Sequence, residues 1–575
     1  MADIAVSIVT GTYNRLPLLQ RLIASIRYSA GGLRYEIIVV DGGSIDGTIN
    51  YCLSQEDVIL IQQGKLLGAV KAFNEGAYAA SGRYVILAND DIVFVNEGII
   101  LAVAFMEDNV NRVGIGCFFQ DRNGREMHVD RMEANYLGQQ VYVPYGQVCI
   151  VPKELGDHVG WWGDYLHTYG GDNELSCNVW ETGLQVAEMK CCCIHDSEHA
   201  DDLRKINNPV TPQSGLHPDT AKWQNKWRSK WGKEQKFGAK IPQTVLHEMS
   251  YKRSTRVVYM PIYEQGHSIQ KKTKTGLRKA LERRNSIVLE LEYQVASHEE
   301  ILYKTVSFQP DVIIIQVQDG SSSVITPQFM KQLNIELPNT KLVSWNGDYH
   351  PDNLYNESYM HLLRHFHHCG FALAGAYEAY CKRNGVNWFY WQIGYEDFEI
   401  DKTRQGHDIV FMGNCYSKAR RQLGEYLRWF GDQYGVDVGL YGNWPSDLKP
   451  NGENLYDFSD GASIYANSFI AISDQQWPSA TGYVSNRLFQ ILAAGGCIVL
   501  QQQFDGMNEY LGLEHAYHLY TWSSLKTLTS LLITLLENRS SEILKQVAEN
   551  GKNHVLTNHS FDKRVEELWT ILRKT

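Results

Sequence analysis

Tyr84-Val-Ile-Leu-Ala-Asn-Asp-Asp-Ile92 decides how the first part of this chain is read. Four apolar residues make a buried-type β run, and the run delivers two adjacent carboxylates, Asp90 and Asp91, at its end. In open α/β sheets, ligands bind outside the carboxyl ends of the strands. Adjacent carboxylates there suit a hard divalent cation, Mg²⁺ or Mn²⁺, held against phosphate oxygens. A solvated Asp-Asp turn is the plain alternative, so the neighbouring segments matter.

Those segments are Val6-Ser-Ile-Val-Thr-Gly-Thr-Tyr-Asn-Arg15 and Ile37-Ile-Val-Val-Asp-Gly-Gly-Ser-Ile-Asp-Gly-Thr48. Each is an apolar run that breaks into a polar, glycine-containing loop. A helical pattern (Leu16, Leu19, Leu22, Ile23, Ile26) follows the first. This βαβ spacing predicts parallel strands. Together with the Asn-Asp-Asp turn, these motifs resemble the inverting family-2 glycosyltransferases of GT-A fold, over roughly residues 4–235.

The resemblance implies roles for individual residues. Asp41 would read the base of a nucleotide-sugar, a UDP-sugar in the first instance, and Thr12 and Asn14 would wrap the same base. A turn-initiating role for Asp41 stays open, and Asp46 reads as a turn or helix cap. Asp90 takes the last position of the family's DXD motif, with Asp91 as the alternative metal ligand. Ala88 stands at the first position, a departure that leaves metal dependence open. His195, in Cys193-Ile-His-Asp-Ser-Glu-His199, is implied as a further metal ligand, with His199 as the fallback.

Tyr169-Gly-Gly-Asp-Asn-Glu-Leu-Ser176 resembles the family's Glu-Asp-x-Asp-Leu segment, with Gly171 in place of the glutamate. Asp172 is then the general base, and Glu174 the second choice. A carboxylate desolvated under a bound sugar has a raised pKa and accepts a hydroxyl proton more readily. An N-cap acid is the alternative for Asp172. Trp161 and Trp162 read equally as a sugar-stacking pair or as core.

At 575 residues the chain exceeds one core, so two or three domains are expected. A net charge of −11 argues against nucleic acid as a partner. The eleven cysteines include Cys191-Cys192-Cys193 without CxxC spacing, which reads as a buried strand in a reducing cytosol rather than a metal site. No signal-peptide pattern and no 18-residue apolar run occur. The expectation is a cytoplasmic protein whose membrane contact, if any, is peripheral. Trp223, Trp227 and Trp231 fall on one helical stripe. That stripe either meets a membrane surface or docks on the sheet.

A second α/β block starts at Arg256-Val-Val-Tyr-Met-Pro261, with further strands expected at 312–316, 341–345 and 371–374. The pattern restarts at Asp408-Ile-Val-Phe-Met-Gly-Asn414 and continues with strands near 438–441, 469–472 and 497–500. Its best-marked segment is Ser485-Asn-Arg-Leu-Phe-Gln-Ile-Leu-Ala-Ala-Gly-Gly496, then a strand, then Phe504-Asp-Gly-Met-Asn-Glu509. This resembles the nucleotide-sugar half of GT-B glycosyltransferases, of the group-1 type found in CgeB-like proteins. Arg487 and the helix N-terminus at Asn486 would bind a diphosphate. Gly413 and Asn414, with Lys418, Arg420 and Arg421, make a second phosphate-facing loop. Gln490 stands where that family often has a ribose-binding Glu. Glu509 is a candidate sugar or ribose contact, and His267 and Asp348 are candidate acceptor contacts. The resemblance implies no metal in this module.

The fold class expected is α/β: a GT-A domain (1–235), a linker (236–254), and a GT-B module with an acceptor-side half (255–400) and a nucleotide-sugar half (401–575). The function expected is a bifunctional glycosyltransferase that builds a glycan of surface-polysaccharide type. The alternatives are one active GT-A transferase beside a glycan-binding or inactive GT-B module, a transferase acting on modified DNA or protein, and a non-catalytic scaffold.

Overall fold

Apolar strands alternating with amphipathic helices build three large sheets and a two-stranded ribbon. The structure is a computed structural model. It describes residues 4–122, 128–136, 139–196, 203, 217–231, 245, 254–262, 268–284, 286–317, 322–347, 354–395, 399–452, 458–475 and 477–573. The chain divides into two compact units. One comprises Met1–Arg256, Ile287–Leu289 and Lys304–Gln309; the other comprises Val257–Ser286, Glu290–Tyr303 and Pro310–Thr575.

The strands of the first unit are β1 (Val6–Thr12), β2 (Tyr35–Asp41), β3 (Val58–Gln62), β4 (Tyr84–Leu87), β5 (Ile92–Phe94), β6 (Val113–Arg122), β7 (Arg131–Tyr136), β8 (Gln139–Pro144), β9 (Cys149–Pro152) and β10 (Gln185–Asp196). Its helices are α1 (Leu16–Ala30), α2 (Thr48–Leu53), α3 (Ala69–Ala79), α4 (Gly98–Asp108), α5 (Lys153–Val159), α6 (Gly171–Thr182) and α7 (Pro218–Trp231). Strands β7 and β8 form the ribbon, and the other eight lie in the order β3-β2-β1-β4-β9-β6-β10-β5.

Strands β3, β2, β1 and β4 are parallel. Their apolar residues are buried throughout β1, β2 and β4, as expected when helices cover both faces. Leu19, Leu22, Ile23 and Ile26 form the buried stripe of α1. Helix α3 approaches β1 so closely that a Cβ on Gly76 would lie 2.3 Å from Val9 Cγ1.

The chain winds outward from β1 to β3 and then returns to place β4 on the other side of β1. That reversal opens a crevice beyond the carboxyl ends of β1 and β4, the place where ligands bind in such sheets. Register fixes its walls. Thr12 pairs with Asp41, and Val9 pairs with Leu87. Three residues further along, Thr12 faces Asp90, so Asp41, Thr12 and Asp90 form a row across three adjacent strand ends.

The other two sheets use β11 (Thr255–Met260), β12 (Ser286–Glu290), β13 (Val312–Gln316), β14 (Lys341–Asn346), β15 (His368–Phe371) and β16 (Trp388–Tyr390), then β17 (Ile409–Met412), β18 (Val438–Tyr441), β19 (Ile470–Ser473), β20 (Ile498–Gln502) and β21 (Tyr520–Trp522). Their orders are β12-β11-β13-β14-β15-β16 and β18-β17-β19-β20-β21. Strands β17 to β21 are parallel, as are β11 and β13 to β16.

The strand expected at 371–374 ends at Phe371 instead. Beyond it the chain turns away, and Ala374 N–H donates to the Thr481 carbonyl at 3.0 Å. None of the eleven cysteines forms a disulfide, and Cys191 to Cys193 lie in β10 with Cys192 buried. Among the described residues, no helix is long and apolar enough to cross a membrane.

Candidate active site

A cavity of about 220 Å³ occupies the crevice beyond β1 and β4. Its walls include Gly11 to Tyr13, Arg15, Gly42, Asn89 to Asp91, Trp162 and Thr168 to Asp172. The β1 loop, the acidic turn and the Gly170-Gly171-Asp172 segment, far apart in sequence, therefore meet at one place.

Asp90 and Asp91 are both buried. Thr12 Oγ1 donates to Asp90 Oδ2 at 2.8 Å, and Arg15 Nη1 donates to Asp90 Oδ1 at 2.7 Å. The same guanidinium nitrogen lies 3.6 Å from Asp91. Burial pushes the Asp90 carboxyl up to about 6, against the pull of Arg15 and with added repulsion from Asp91. Arg15, at the N-cap position of α1, belongs to no motif, and only the fold brings it to the carboxylates.

Asp41 is fully buried. Its Oδ2 accepts from the Gly43 and Ser44 N–H groups at 2.8 and 2.9 Å, which is the turn-initiating role. Its Oδ1 is buried with no hydrogen-bond partner; Asp41 itself does not line the cavity, although its neighbours Val40 and Gly42 do. Asn14 ties the β1 and β2 loops together. Its Oδ1 accepts from Ile45 N–H and its own N–H donates to Ser44 Oγ. It does not line the cavity. Thr12 lines the cavity but its hydroxyl is directed to Asp90, away from the base-wrapping role expected of it. Asp46 accepts from Leu16 and Thr48 N–H groups, as a cap does.

Asp172 stands in the first turn of α6, half-buried, and lines the cavity. Burial pushes its carboxyl up to about 6; hydrogen bonds from backbone N–H groups oppose this, and Asp130 adds to it. Glu174 faces elsewhere. It is 1% exposed, accepts from Tyr165 Oη at 2.7 Å, and also receives Lys226 Nζ and Trp227 Nε1. A carboxylate so fully committed cannot serve as the base, and that expectation is corrected. The glycine at 171 also has a physical reason: a Cβ there would lie 2.2 Å from the Trp162 ring. Trp162 lines the cavity and packs on Phe73 at 4.5 Å. Trp161 is core, with its Nε1 donating to Asp157.

His195 is not drawn to the carboxylates. Its side chain is 57% exposed and its Nδ1 lies 3.2 Å from Asp121 Oδ2. His199 lies outside the described residues. Among those residues, no group of three or more His, Cys, Asp and Glu side chains is arranged to hold a metal. Asp90 and Asp91 still fit a divalent cation that keeps waters and takes phosphate oxygens. The guanidinium of Arg15 at their oxygens marks the point where positive charge is stabilised.

In the second unit, Asp474 organises the candidate phosphate site. Arg420 Nε and Nη2 donate to its two oxygens at 2.8 and 2.9 Å, and Arg487 Nη1 donates at 2.7 Å. Burial works to raise the Asp474 carboxyl, but Arg487 and Arg420 outweigh it and hold it below the usual range. Arg487 lies over Phe411 at 5.1 Å and packs against Gly413, where a Cβ would lie 3.0 Å from Nη2. Arg420 Nη1 donates to the Asn414 carbonyl, and Asn414 Oδ1 accepts from Asn443 N–H.

Arg421 is turned outward to Glu425 and Asp447, each at 2.8 Å, so its expected phosphate role is corrected in favour of Arg420. Lys418 and Glu509 are exposed. Gln490 is buried on the helix Asn486–Ala494, which Ser485 caps. His267 and Asp348 lie outside the described residues.

Residues 7–153 match the sequence model of the family described as Glycosyl transferase family 2, and residues 420–570 match that described as Glycosyl transferase-like. Two segments of the chain thus match glycosyltransferase family models. The chain is 31% identical over 174 residues to the uncharacterized glycosyltransferase YwdF of Bacillus subtilis, a match covering 28% of this chain and 64% of YwdF. Among solved structures, TarS 1–349 of S. aureus in complex with UDP is similar at 16% identity and a TM-score of 0.29, over 35% of this chain and 63% of that one. A Pyrobaculum calidifontis mannosyltransferase in complex with GDP-Man and Mn²⁺ is similar at 15% identity and a TM-score of 0.30, over 44% of this chain and 70% of that one. The chain thus spans less than two thirds of YwdF and of the TarS fragment.

Removing Arg15 would take from two buried carboxylates the cation they share, at a cost of about 3–5 kcal/mol. Arg15→Ala is therefore expected to lower the melting temperature of the full chain, and Mn²⁺ is expected to restore part of the loss. A variant as stable as the parent, and indifferent to Mn²⁺, would show that the crevice does not concentrate negative charge.

Proposed function

We propose that the first unit transfers a sugar from a nucleotide-sugar, a UDP-sugar in the first instance, to a glycan hydroxyl. The observation that carries this reading is the single cavity joining the acidic turn to Asp172, inside a segment that matches family 2. In the proposed arrangement Asp41 Oδ1, unpartnered and buried, accepts a base N–H, and Gly11, Gly42 and Tyr13 enclose the nucleoside. Asp90 and Asp91 would hold a divalent cation, Mn²⁺ or Mg²⁺, which supplies charge neutralisation for the diphosphate.

Asp172 accepts the proton of the attacking hydroxyl. The acceptor oxygen forms its bond to the anomeric carbon as the bond to the diphosphate breaks on the opposite face, and the proton ends on Asp172. Inversion of configuration follows from one base and no protein nucleophile. Trp162 offers an apolar face to a sugar ring.

For the second unit we propose a GT-B module, with halves at 255–400 and 401–575, after a first domain at 1–235 and a linker at 236–254. Its site reads in two ways. As a second transferase, Arg487 would meet a diphosphate at the N-terminus of its helix. Asp474 tempers this reading, because both arginines share its one carboxylate and a diphosphate would meet one positive charge in excess rather than two; the other reading is a glycan-binding module. A surface-type glycan remains the proposed acceptor, and a peripheral membrane site in the cytoplasm the proposed location.

Nucleotide release from UDP-, GDP-, dTDP- and CMP-sugars by the full chain tests both units at once. Asp90→Ala is expected to abolish release and Asp172→Asn to lower it by about 10²–10⁴-fold. Arg487→Ala is expected to leave that release intact. Release that survives Asp90→Ala but not Arg487→Ala would move the activity to the second unit.

The raised carboxyls also fix the direction of the pH response. A base must be ionised, so turnover is expected to fall as the pH drops through about 6. A rate unchanged from pH 8 to pH 5 would remove Asp172 from the role of base.

A further inference from the structure

Helix α7 lies outside both matched segments, and two of its tryptophans, Trp223 and Trp227, pack on the core of the first unit, with Trp227 buried. The same face carries more than packing. Asp219 and Lys226 are seven residues apart, two helical turns, and so share one side of the helix.

Asp219 is 1% exposed. Its Oδ2 accepts from the N–H groups of His167, Thr168 and Tyr169 at 3.0, 2.7 and 3.3 Å. Its Oδ1 takes Lys222 Nζ at 3.1 Å. Trp223, one turn on, packs against Gly170, 3.5 Å from where a Cβ would stand. Another turn on, Lys226 and Trp227 donate to Glu174, which also holds Tyr165.

One helix therefore grips the chain on both sides of Asp172, at 167–169 and at Glu174. Thr168 to Asp172 form one continuous wall of the cavity. That wall also reaches the start of α3, where Val70 N–H donates to the His167 carbonyl at 3.1 Å. Charge-assisted bonds to backbone N–H groups are among the stronger and more directional contacts available. Glu174 has no other evident task, since it is closed off from the cavity.

We propose that α7 is a splint for the catalytic segment, and that Asp219 is a positioning residue that sets the 167–172 wall and hence the aim of Asp172. Asp219 acts through that segment and touches no substrate itself. The proposal rests on Asp172 being the base.

The test compares Asp219→Ala with Asp219→Asn in the full chain. The asparagine keeps an oxygen that accepts backbone N–H groups; the alanine does not. Asp219→Ala is expected to lower kcat by roughly a hundredfold, the order expected for a displacement of about 1 Å, with the donor KM little changed. Asp219→Asn is expected to recover most of that loss. Equal losses in both variants, or unchanged kcat in Asp219→Ala, would overturn the proposal.

Hydrogen exchange separates this failure from failure of the catalytic reading. In Asp219→Ala, protection is expected to fall over residues 165–172 while β1, β2 and β4 keep theirs. Unchanged protection there overturns the splint whatever the turnover. Lost protection with Asp172→Asn still fully active would retain the splint's grip on the segment and remove its catalytic consequence, which also overturns the proposal.

Discussion

The ion pair between Arg15 and the Asp90-Asp91 turn is the constraint on which the first unit's site depends. Two carboxylates brought together in a buried crevice repel each other and lose their hydration. Arg15 answers that cost from the start of α1, and Thr12 adds a hydrogen bond from the end of β1. The consequence is a crevice that must hold positive charge at one fixed point. A diphosphate with its cation is a chemical solution to the same electrostatic problem, which is why strand order, register and charge all lead to one reading of the cavity.

Much of this is legible in the sequence because it is local. Apolar runs ending in Gly or Asp mark β1, β2 and β4, and the turn after β4 announces its own carboxylates. Asp172 is visible for the same reason, as an acid after two glycines at a helix start. What stays hidden depends on which distant groups a side chain meets. Glu174 and Asp172 look equivalent two residues apart, yet a helical turn sends one into the cavity and the other to Lys226 and Trp227. Arg420 and Arg421 are adjacent and differ only in which side of their helix they occupy. One is buried on Asp474 and the other sits at the surface. Asp219 carries no motif at all, and only the folded chain brings three backbone N–H groups to it.

The second unit presents the same physics with the opposite outcome. There the positive charge belongs to two arginines and the internal anion is Asp474. Arginines that already share a buried carboxylate gain less from an added diphosphate than two free ones would, because the ligand must compete with that carboxylate for their N–H groups. Gln490, where the resembled family often has a ribose-binding Glu, is buried on the adjoining helix. Two segments of one chain can thus differ in how open their charges are to a ligand.

The central claim is that the crevice beyond β1 and β4 is the nucleotide-sugar site. A crystal structure of the full chain grown with UDP and Mn²⁺ tests it most directly. The account predicts diphosphate density between Asp90 and the Gly170–Asp172 wall, with the base beside Asp41. Density confined to the neighbourhood of Arg487, or absent from the crevice while UDP binds in solution, would contradict it.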